Sequence, residues 1–377
     1  MAGTRPSSRP RDVLRRIREF SLSIVEDLRN GKLLSISIDR FQNCCTDSGG
    51  NCFCSYDHAK GTEVLTLRCE SHAYRIDVLL KVLLIIQKLL QENRHASKRD
   101  IYYMHPGLFK EQSVVDKAIY EIGILLQCSR HNLNVLKFIF SCQKINDSLS
   151  PWAGCCWLVM GWLRFSESGR KFDCINNVNT AHPVPVYVEE VKDIVAVALY
   201  ILVVEKESVF QRLANDQFCT KNRCIVISGR GYPDVNTRRF LRLLVEKLKL
   251  PTFCLVDCDP YGFDILTTYR FGSMQMAYDA QFLRVPEIQW LGVFPTESEK
   301  YNIPTQCLLP LTADDAKRTE NLLRRCYLQR EVPMWRTELE VMLQRGVKFE
   351  IEALSVHSIS FLSDKYLPSK IRGRAHF

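Results

Sequence analysis

Two hydrophobic periods divide this chain. In its first part, apolar residues recur every three or four positions. Val13, Ile17, Phe20, Ile24 and Leu28 form one such stripe. It predicts an amphipathic helix from Asp12, a capping residue, to Asn30, with Gly31 to end it. Arg15, Arg16, Arg18 and Arg29 lie mostly off the stripe. The helix either packs on its own domain or docks a partner, and the pattern leaves both open. Tyr74 to Asn93 predicts a second helix, apolar around most of its circumference. Ser97 caps a short third helix through Tyr103. After the His105-Pro106-Gly107 break, Ser113 caps a fourth, with Val114, Ala118, Ile119, Ile122 and Leu126 on its buried side. Residues 133–140 and 157–165 alternate like strands. Three helices followed by a hairpin is the order of a winged helix-turn-helix, a shape often seated on duplex DNA.

From residue 187 the period changes. Ile201 to Val204 is an unbroken apolar run ending in Glu205, Cys224 to Ile227 one ending at Ser228-Gly229, and Thr252 to Val256 one ending at Asp257. Gln289 to Phe294 is a candidate fourth. Helical patterns lie between them, at 207–216 and 237–249, and more follow from Thr312. Continuous apolar strands alternating with helices predict a buried parallel sheet covered on both faces. The fold class is therefore mixed α/β. The expected organisation is a flexible tail (1–11), a helix and loop (12–62), a winged-helix domain (70–165), a polar, Gly- and Pro-broken linker (166–186) and an α/β domain (187–377).

Composition narrows this only a little. With 46% apolar residues, the 377-residue chain can bury a sizeable core and suits two domains. A net charge of +9 favours acidic partners, nucleic acid first. The Pro-, Ser- and Arg-rich start lacks an apolar core segment, and Tyr74 to Leu90 carries Arg75, Asp77, Lys81 and Lys88. Neither secretion nor a membrane span is expected, so the sixteen cysteines are expected to be reduced and mostly buried. The loop with Cys44, Cys45, Cys52, Cys54 and His58 lacks paired C-x₂₋₄-C knuckles. Zinc there is the minor alternative to free thiols.

Candidate chemistry sits at strand ends. In a parallel sheet the C-terminal strand ends share one edge, where ligands bind. Glu205, Asp257 and Asp259 would gather there and repel one another unless a divalent cation neutralises them; hard oxygen ligands suit Mg²⁺. The alternative is that they are helix N-caps. The two glycines of Gly229-Arg230-Gly231 could bring backbone amides to a phosphate, but no Lys-Ser/Thr follows, so no nucleotide-triphosphate loop is present. Arg238, Arg239 and Arg242 either sit over a DNA backbone or form a solvated helix face. A tyrosine hydroxyl can displace an oxygen at phosphorus and hold the phosphate covalently, given help from cations or a base. Arg99 lies four residues before Tyr103, on the same helix face, where a guanidinium could clamp the phosphate. Tyr102 points roughly 100° away, so both tyrosines cannot serve one phosphate. Read as residues alone, both are better explained as packing aromatics.

Four segments occur in order: Lys98-Arg-Asp-Ile-Tyr-Tyr103, Val203-Val-Glu-Lys-Glu-Ser-Val-Phe210, Gly229-Arg-Gly-Tyr-Pro-Asp234 and Val256-Asp-Cys-Asp-Pro-Tyr-Gly262. Together they resemble the meiotic double-strand-break protein family, homologous to the A-type chain of topoisomerase VI, in its plant form. The likeness covers roughly 70–365. It implies a winged-helix domain carrying the tyrosine and a Toprim domain carrying the metal. It also implies Tyr103 as nucleophile, Arg99 as its arginine, and Glu205, Asp257 and Asp259 as Mg²⁺ ligands. Lys98, Arg230 and Arg238 are candidate DNA contacts. The activity implied is DNA-strand transesterification through a 5′-phosphotyrosyl intermediate, initiating meiotic recombination in the nucleus. The implied partners are duplex DNA, a topoisomerase VI B-like subunit docked on the N-terminal helix, and a second A-type chain, self or paralogue. The tyrosine of one A-type chain then works with the metal of the other. No resolving hydrolase chemistry is visible, which predicts single turnover. One departure stands out: residues 138–157 are longer than the family's short glycine-containing turn before Leu158-Val-Met-Gly161. The competing readings are a metal-dependent hydrolytic nuclease and a non-catalytic DNA-binding or assembly paralogue.

Overall fold

A computed structural model describes residues 10–41, 61–136, 157–185, 187–273 and 280–374. The cysteine loop at 44–58 and nearly all of the 138–157 insertion lie outside the described residues. The chain forms two compact units.

The first unit contains α1 (Pro10–Arg29), β1 (Ser35–Asp39), β2 (Thr62–Thr66), α2 (Glu70–Gln91), β3 (Ala96–Ser97), α3 (Lys98–Met104), α4 (Pro106–Phe109), α5 (Gln112–Leu125) and β4 (Val135–Leu136). α1 starts two residues before Asp12, because a proline at the first helical position has its φ preset and loses no hydrogen bond there. α5 begins before Ser113, whose hydroxyl donates to Glu111 instead of capping. The core gathers Val13 and Ile17 of α1, the buried apolar residues of α2 from Ile76 to Leu90, Ile101, Phe109, and Val115, Ala118, Ile119 and Ile122 of α5. Phe20 and Ile24 pack against that core, whereas Leu22, Val25 and Leu28 are exposed. Thus one face of α1 packs on its own unit from Val13 to Ile24, and Leu22, Val25 and Leu28 leave a second, spaced apolar row uncovered. Glu121, buried in α5, accepts from Arg75 at 2.6 Å, and Arg75 also reaches Glu63 at 2.5 Å, tying β2, α2 and α5 together.

The second unit contains β5 (Leu158–Gly161), β6 (Leu163–Glu167), β7 (Arg170–Asp173), β8 (His182–Pro183), β9 (Val191–Ala196), β10 (Tyr200–Val204), α6 (Glu207–Asn215), α7 (Phe218–Asn222), β11 (Cys224–Ser228), α8 (Val235–Leu248), β12 (Thr252–Leu255) and α9 (Pro260–Phe271). The short helix α10 (Ala280–Leu283) falls mostly in the first unit, and beyond it the second unit continues with β13 (Gln289–Gly292), α11 (Glu297–Lys300), β14 (Leu309–Pro310), α12 (Ala313–Leu323), α13 (Cys326–Glu331), α14 (Pro333–Arg345), β15 (Val347–Lys348) and α15 (Leu367–Arg372). The main sheet has the order β13-β12-β10-β11-β5-β8 and is parallel from β13 to β11. Every residue of β10, β11 and β12 is buried, as their unbroken apolar runs require. The mixed α/β class holds, with the largely helical unit that carries Tyr103 first and the mainly parallel sheet second.

Two expectations change. The strand expected at 157–165 as one arm of a wing is two strands of the second unit: β5 pairs antiparallel with β11, and β6 joins a second sheet of order β7-β6-β9. The linker expected at 166–186 is largely folded. Its polar Ser168-Gly169 pair, both at positive φ, joins β6 to β7 as a two-residue hairpin turn, in which Glu167 faces Arg170. Described cysteines are free thiols and, apart from Cys69 and Cys307, buried. Among the described residues no helix is long and apolar enough to cross a membrane.

Gly161 is the corner where the chain leaves one sheet for the other. Its φ is +116°, and a Cβ there would lie 2.1 Å from the Cys224 carbonyl oxygen and 2.8 Å from the Ile225 Cα, both backbone atoms that cannot swing aside. Gly346, at φ +64°, has open space around it. Gly161→Ala is expected to cost about 3 kcal/mol or more in denaturant unfolding, and Gly346→Ala only about 1–2 kcal/mol. Equal losses in the two variants would refute the backbone clash.

Candidate active site

Because β10 and β12 are neighbours and wholly buried, polar side chains can emerge only where the strands stop. Glu205 follows β10 directly, and Asp257 lies two residues past β12. Glu205 Oε2 accepts the Asp257 amide at 2.9 Å. Asp257, 5% exposed, accepts the Ile351 amide on Oδ1 and the Lys206 ammonium on Oδ2, both at 2.9 Å. Asp259 is the N-cap of α9 and accepts the Gly262 amide at 2.6 Å. The N-cap alternative therefore describes Asp259, whereas Glu205 and Asp257 cap nothing. Gly262 is required by the close packing: a Cβ there would lie 2.9 Å from Glu205 Oε2 and 2.6 Å from the Asp257 carbonyl oxygen.

Burial raises all three carboxyls. Glu205 is pushed up to about 8 by desolvation, then by the charge of Asp257, against the Asp257 amide bond. Asp257 is pushed up to about 6 by burial, against the Ile351 amide and Lys206. Asp259 is raised by burial despite its bond to Gly262. Lys206 loses by burial but is held above the usual lysine range by Asp257, Glu352 and Glu350, so it stays charged. A carboxylate group held in this state favours added positive charge.

Among the described residues, no set of three or more His, Cys, Asp or Glu side chains is arranged to hold a metal ion as it stands. Both oxygens of Asp257 and one each of Glu205 and Asp259 are engaged in hydrogen bonds or an ion pair. The donor set still suits Mg²⁺. That ion takes one or two carboxylates, keeps several waters and completes its shell with substrate phosphate. The fold brings Glu205 and Asp257 together, with Asp259 two residues on, as residues that could hold such an ion.

The glycine turn after β11 does not present a free amide cradle. The Gly231 amide donates to the Glu205 carbonyl at 2.9 Å, and the Arg230 guanidinium pairs with Glu207 at 2.6 Å. Lys98, the first residue of α3, pairs with Asp116 at 2.7 Å. The expectation for Arg238 is corrected: it is 2% exposed, so it offers no surface to DNA, and neither the DNA-backbone nor the solvated-face reading fits it. Arg239 is buried too and pairs with Glu189 at 2.6 Å. Sequence reasoning misses Lys206, Glu350 and Glu352. Lys206 adjoins Glu205, which is a signal that could have found it; the two glutamates come from a segment far along the chain.

The tyrosine helix is in the other unit. Ser97 and Asp100 form a reciprocal capping box that fixes where α3 starts. Ile101 is fully buried and sets the helix's rotation. Tyr102 then lies half-buried, its hydroxyl donating to the Lys110 carbonyl at 3.3 Å. Tyr103 is turned outward and 70% exposed, its ring 5.1 Å from that of Tyr102. Arg99 is exposed, one turn before Tyr103 on the same helix.

Comparison with known proteins adds the following. A family model described as "Type IIB DNA topoisomerase" matches residues 74–135, and one for the Toprim domain of Spo11 and the topoisomerase 6 A chain matches 200–371. The chain is 64% identical to the Meiotic recombination protein SPO11-1 of Arabidopsis thaliana over 372 residues, 99% of this chain and 98% of that protein. It is 40% identical to the Meiotic recombination protein SPO11 of Homo sapiens over 302 residues, 80% of this chain and 72% of that one. To the A chain of DNA topoisomerase 6 from Arabidopsis thaliana it is 36% identical over 302 residues, 80% of this chain and 67% of that one.

The raised carboxyls set a pH dependence. Folded Glu205 and Asp257 hold protons that the unfolded chain has already lost, so stability falls as pH rises from each ordinary value to each folded one. The windows are 4.5 to about 8 for Glu205 and 3.8 to about 6 for Asp257. Metal-free protein is expected to lose thermal stability between pH 6 and pH 8, and Glu205→Gln to flatten that stretch. A wild-type melting profile already flat there would contradict the burial argument.

Proposed function

The chain belongs to the family that unites Spo11 with the A chain of topoisomerase 6, and on that footing we propose that it breaks duplex DNA to start meiotic recombination, with Tyr103 as nucleophile. The observation that carries the choice of tyrosine is the display of α3. Tyr103 stands 70% exposed, while Tyr102 spends its hydroxyl on a backbone carbonyl.

In this reading the Tyr103 oxygen attacks a backbone phosphorus. An O–P bond forms to the DNA 5′ phosphate, the bond to the 3′ oxygen breaks, and the proton lost by tyrosine is balanced by the one that oxygen gains. Neither water nor ATP is consumed. Arg99, one turn away on the same face, is the guanidinium for the phosphate oxygens. Glu205, Asp257 and Asp259 would hold Mg²⁺, which would supply positive charge to stabilise the reacting phosphate. Tyr103 and the acids come from different A-type chains, two copies or two paralogues. Lys98 and Arg230 remain candidate DNA contacts, each exchanging its carboxylate partner for phosphate. The exposed Leu22, Val25 and Leu28 of α1 suit the apolar contact of a B-type subunit. The protein acts in the nucleus, and with no step that resolves the adduct it turns over once.

The test is to map protein-bound DNA ends in meiotic cells. Wild type and Tyr102→Phe are expected to leave 5′ adducts, and Tyr103→Phe none. Loss in Tyr102→Phe alone overturns the assignment. Cutting that survives Tyr103→Phe without an adduct identifies a hydrolytic nuclease. Full function with Glu205→Gln and Asp257→Asn identifies a non-catalytic paralogue.

A further inference from the structure

The Lys206 ammonium is placed in a way that the cleavage reaction by itself does not explain. It follows Glu205 in sequence and begins α6 as its N-cap. Its three N–H donors meet three carboxylates: Asp257 Oδ2 at 2.9 Å, Glu352 Oε2 at 3.0 Å and Glu350 Oε2 at 3.1 Å. Only the first belongs to the acidic set. Glu350 and Glu352 flank Ile351, whose amide holds the other Asp257 oxygen at 2.9 Å. Glu352 is itself fixed by the Ser208 hydroxyl at 2.9 Å. The turn is pinned independently of Lys206, through paired backbone bonds between Cys258 and Phe349. Lys206 can therefore let go of Asp257 without releasing the 350–352 segment.

We propose that Lys206 is a built-in counter-cation that occupies Asp257 in the metal-free chain and moves onto Glu350 and Glu352 when Mg²⁺ binds. The inference rests on the metal reading of Glu205 and Asp257 and adds a competitor to it. A buried carboxylate pair with no cation is costly, so the ammonium stabilises this edge whenever no metal is bound. Two cations cannot share one Asp257 oxygen at low cost, so metal entry displaces the ammonium. Because two of its three acceptors lie outside the metal set, the displaced ammonium keeps most of its hydrogen bonds. The exchange raises the Mg²⁺ concentration at which the site loads, and it leaves ligand identity untouched.

The experiment titrates the full-length purified chain with Mg²⁺ by calorimetry, without DNA, and follows melting in parallel. Lys206→Met is expected to melt lower than wild type without metal and to bind Mg²⁺ about tenfold more tightly. The melting difference should narrow at saturating Mg²⁺. Lys206→Arg, which keeps the charge and can grip Asp257 with two N–H groups, should bind Mg²⁺ more weakly than wild type. It also serves if the methionine variant does not fold. Glu352→Gln should weaken Mg²⁺ binding in the wild-type background and have little effect beside Lys206→Met. Binding that is unchanged or weaker in Lys206→Met, or unchanged in Lys206→Arg, overturns the exchange while leaving the metal site standing. A wild-type chain that shows no Mg²⁺ binding sensitive to Glu205→Gln overturns both.

Discussion

The second unit depends on one constraint: its central strands are buried on every residue, so charge can appear only where they end. β10 and β12 run parallel and side by side, which puts Glu205 and Asp257 at one edge, close enough for the side chain of one to bind the backbone of the other. That placement creates the chemistry and its cost together. Desolvation lifts both carboxyls, and the charge of Asp257 raises Glu205 further. The fold offsets this with two backbone amides, those of Asp257 and Ile351, and with a single ammonium. In the proposed function a divalent cation supplies the further positive charge that this edge can accept.

The tyrosine side solves a different problem. In the proposed reaction, a nucleophile that meets a large polyanion has to be exposed, yet held still. A seven-residue helix is too short to be stable by its own hydrogen bonds. α3 is held by its capping box at one end and by buried Ile101 beneath it. Those two anchors fix the rotation, and the helical angle between successive residues then decides which tyrosine faces out. The same arithmetic places Arg99 on the Tyr103 face. Neither anchor touches the reaction, but each decides which hydroxyl is available for it.

Much of this is legible in the sequence. Glu205 and Asp257 can be read because β-branched apolar runs stop just before them, and a parallel sheet collects such ends on one edge. Ser97 can be read as a cap, and the helix it starts fixes the Tyr102 and Tyr103 directions. The stretch at 166–186 reads wrongly as a linker because polar, glycine-containing residues look alike in a linker and in a hairpin on a sheet edge. Whether Ser168-Gly169 closes a ladder depends on strands on either side finding each other. Residues 157–165 mislead for the same reason: alternation reveals a strand but not its partner.

Side-chain period and backbone geometry are local, so the order of residues is enough to mark the central strands, the acids that interrupt apolar runs, and the tyrosine that shares a face with Arg99. Which strands pair is a tertiary outcome. So are the burial of Arg238, the oxygen that Asp259 spends on its own helix, and the bridge from Asp257 through Lys206 to Glu350 and Glu352. Those outcomes depend on contacts between residues far apart in the chain. A carboxylate's role is set by which amide or ammonium reaches it first, and no spacing along the sequence records that.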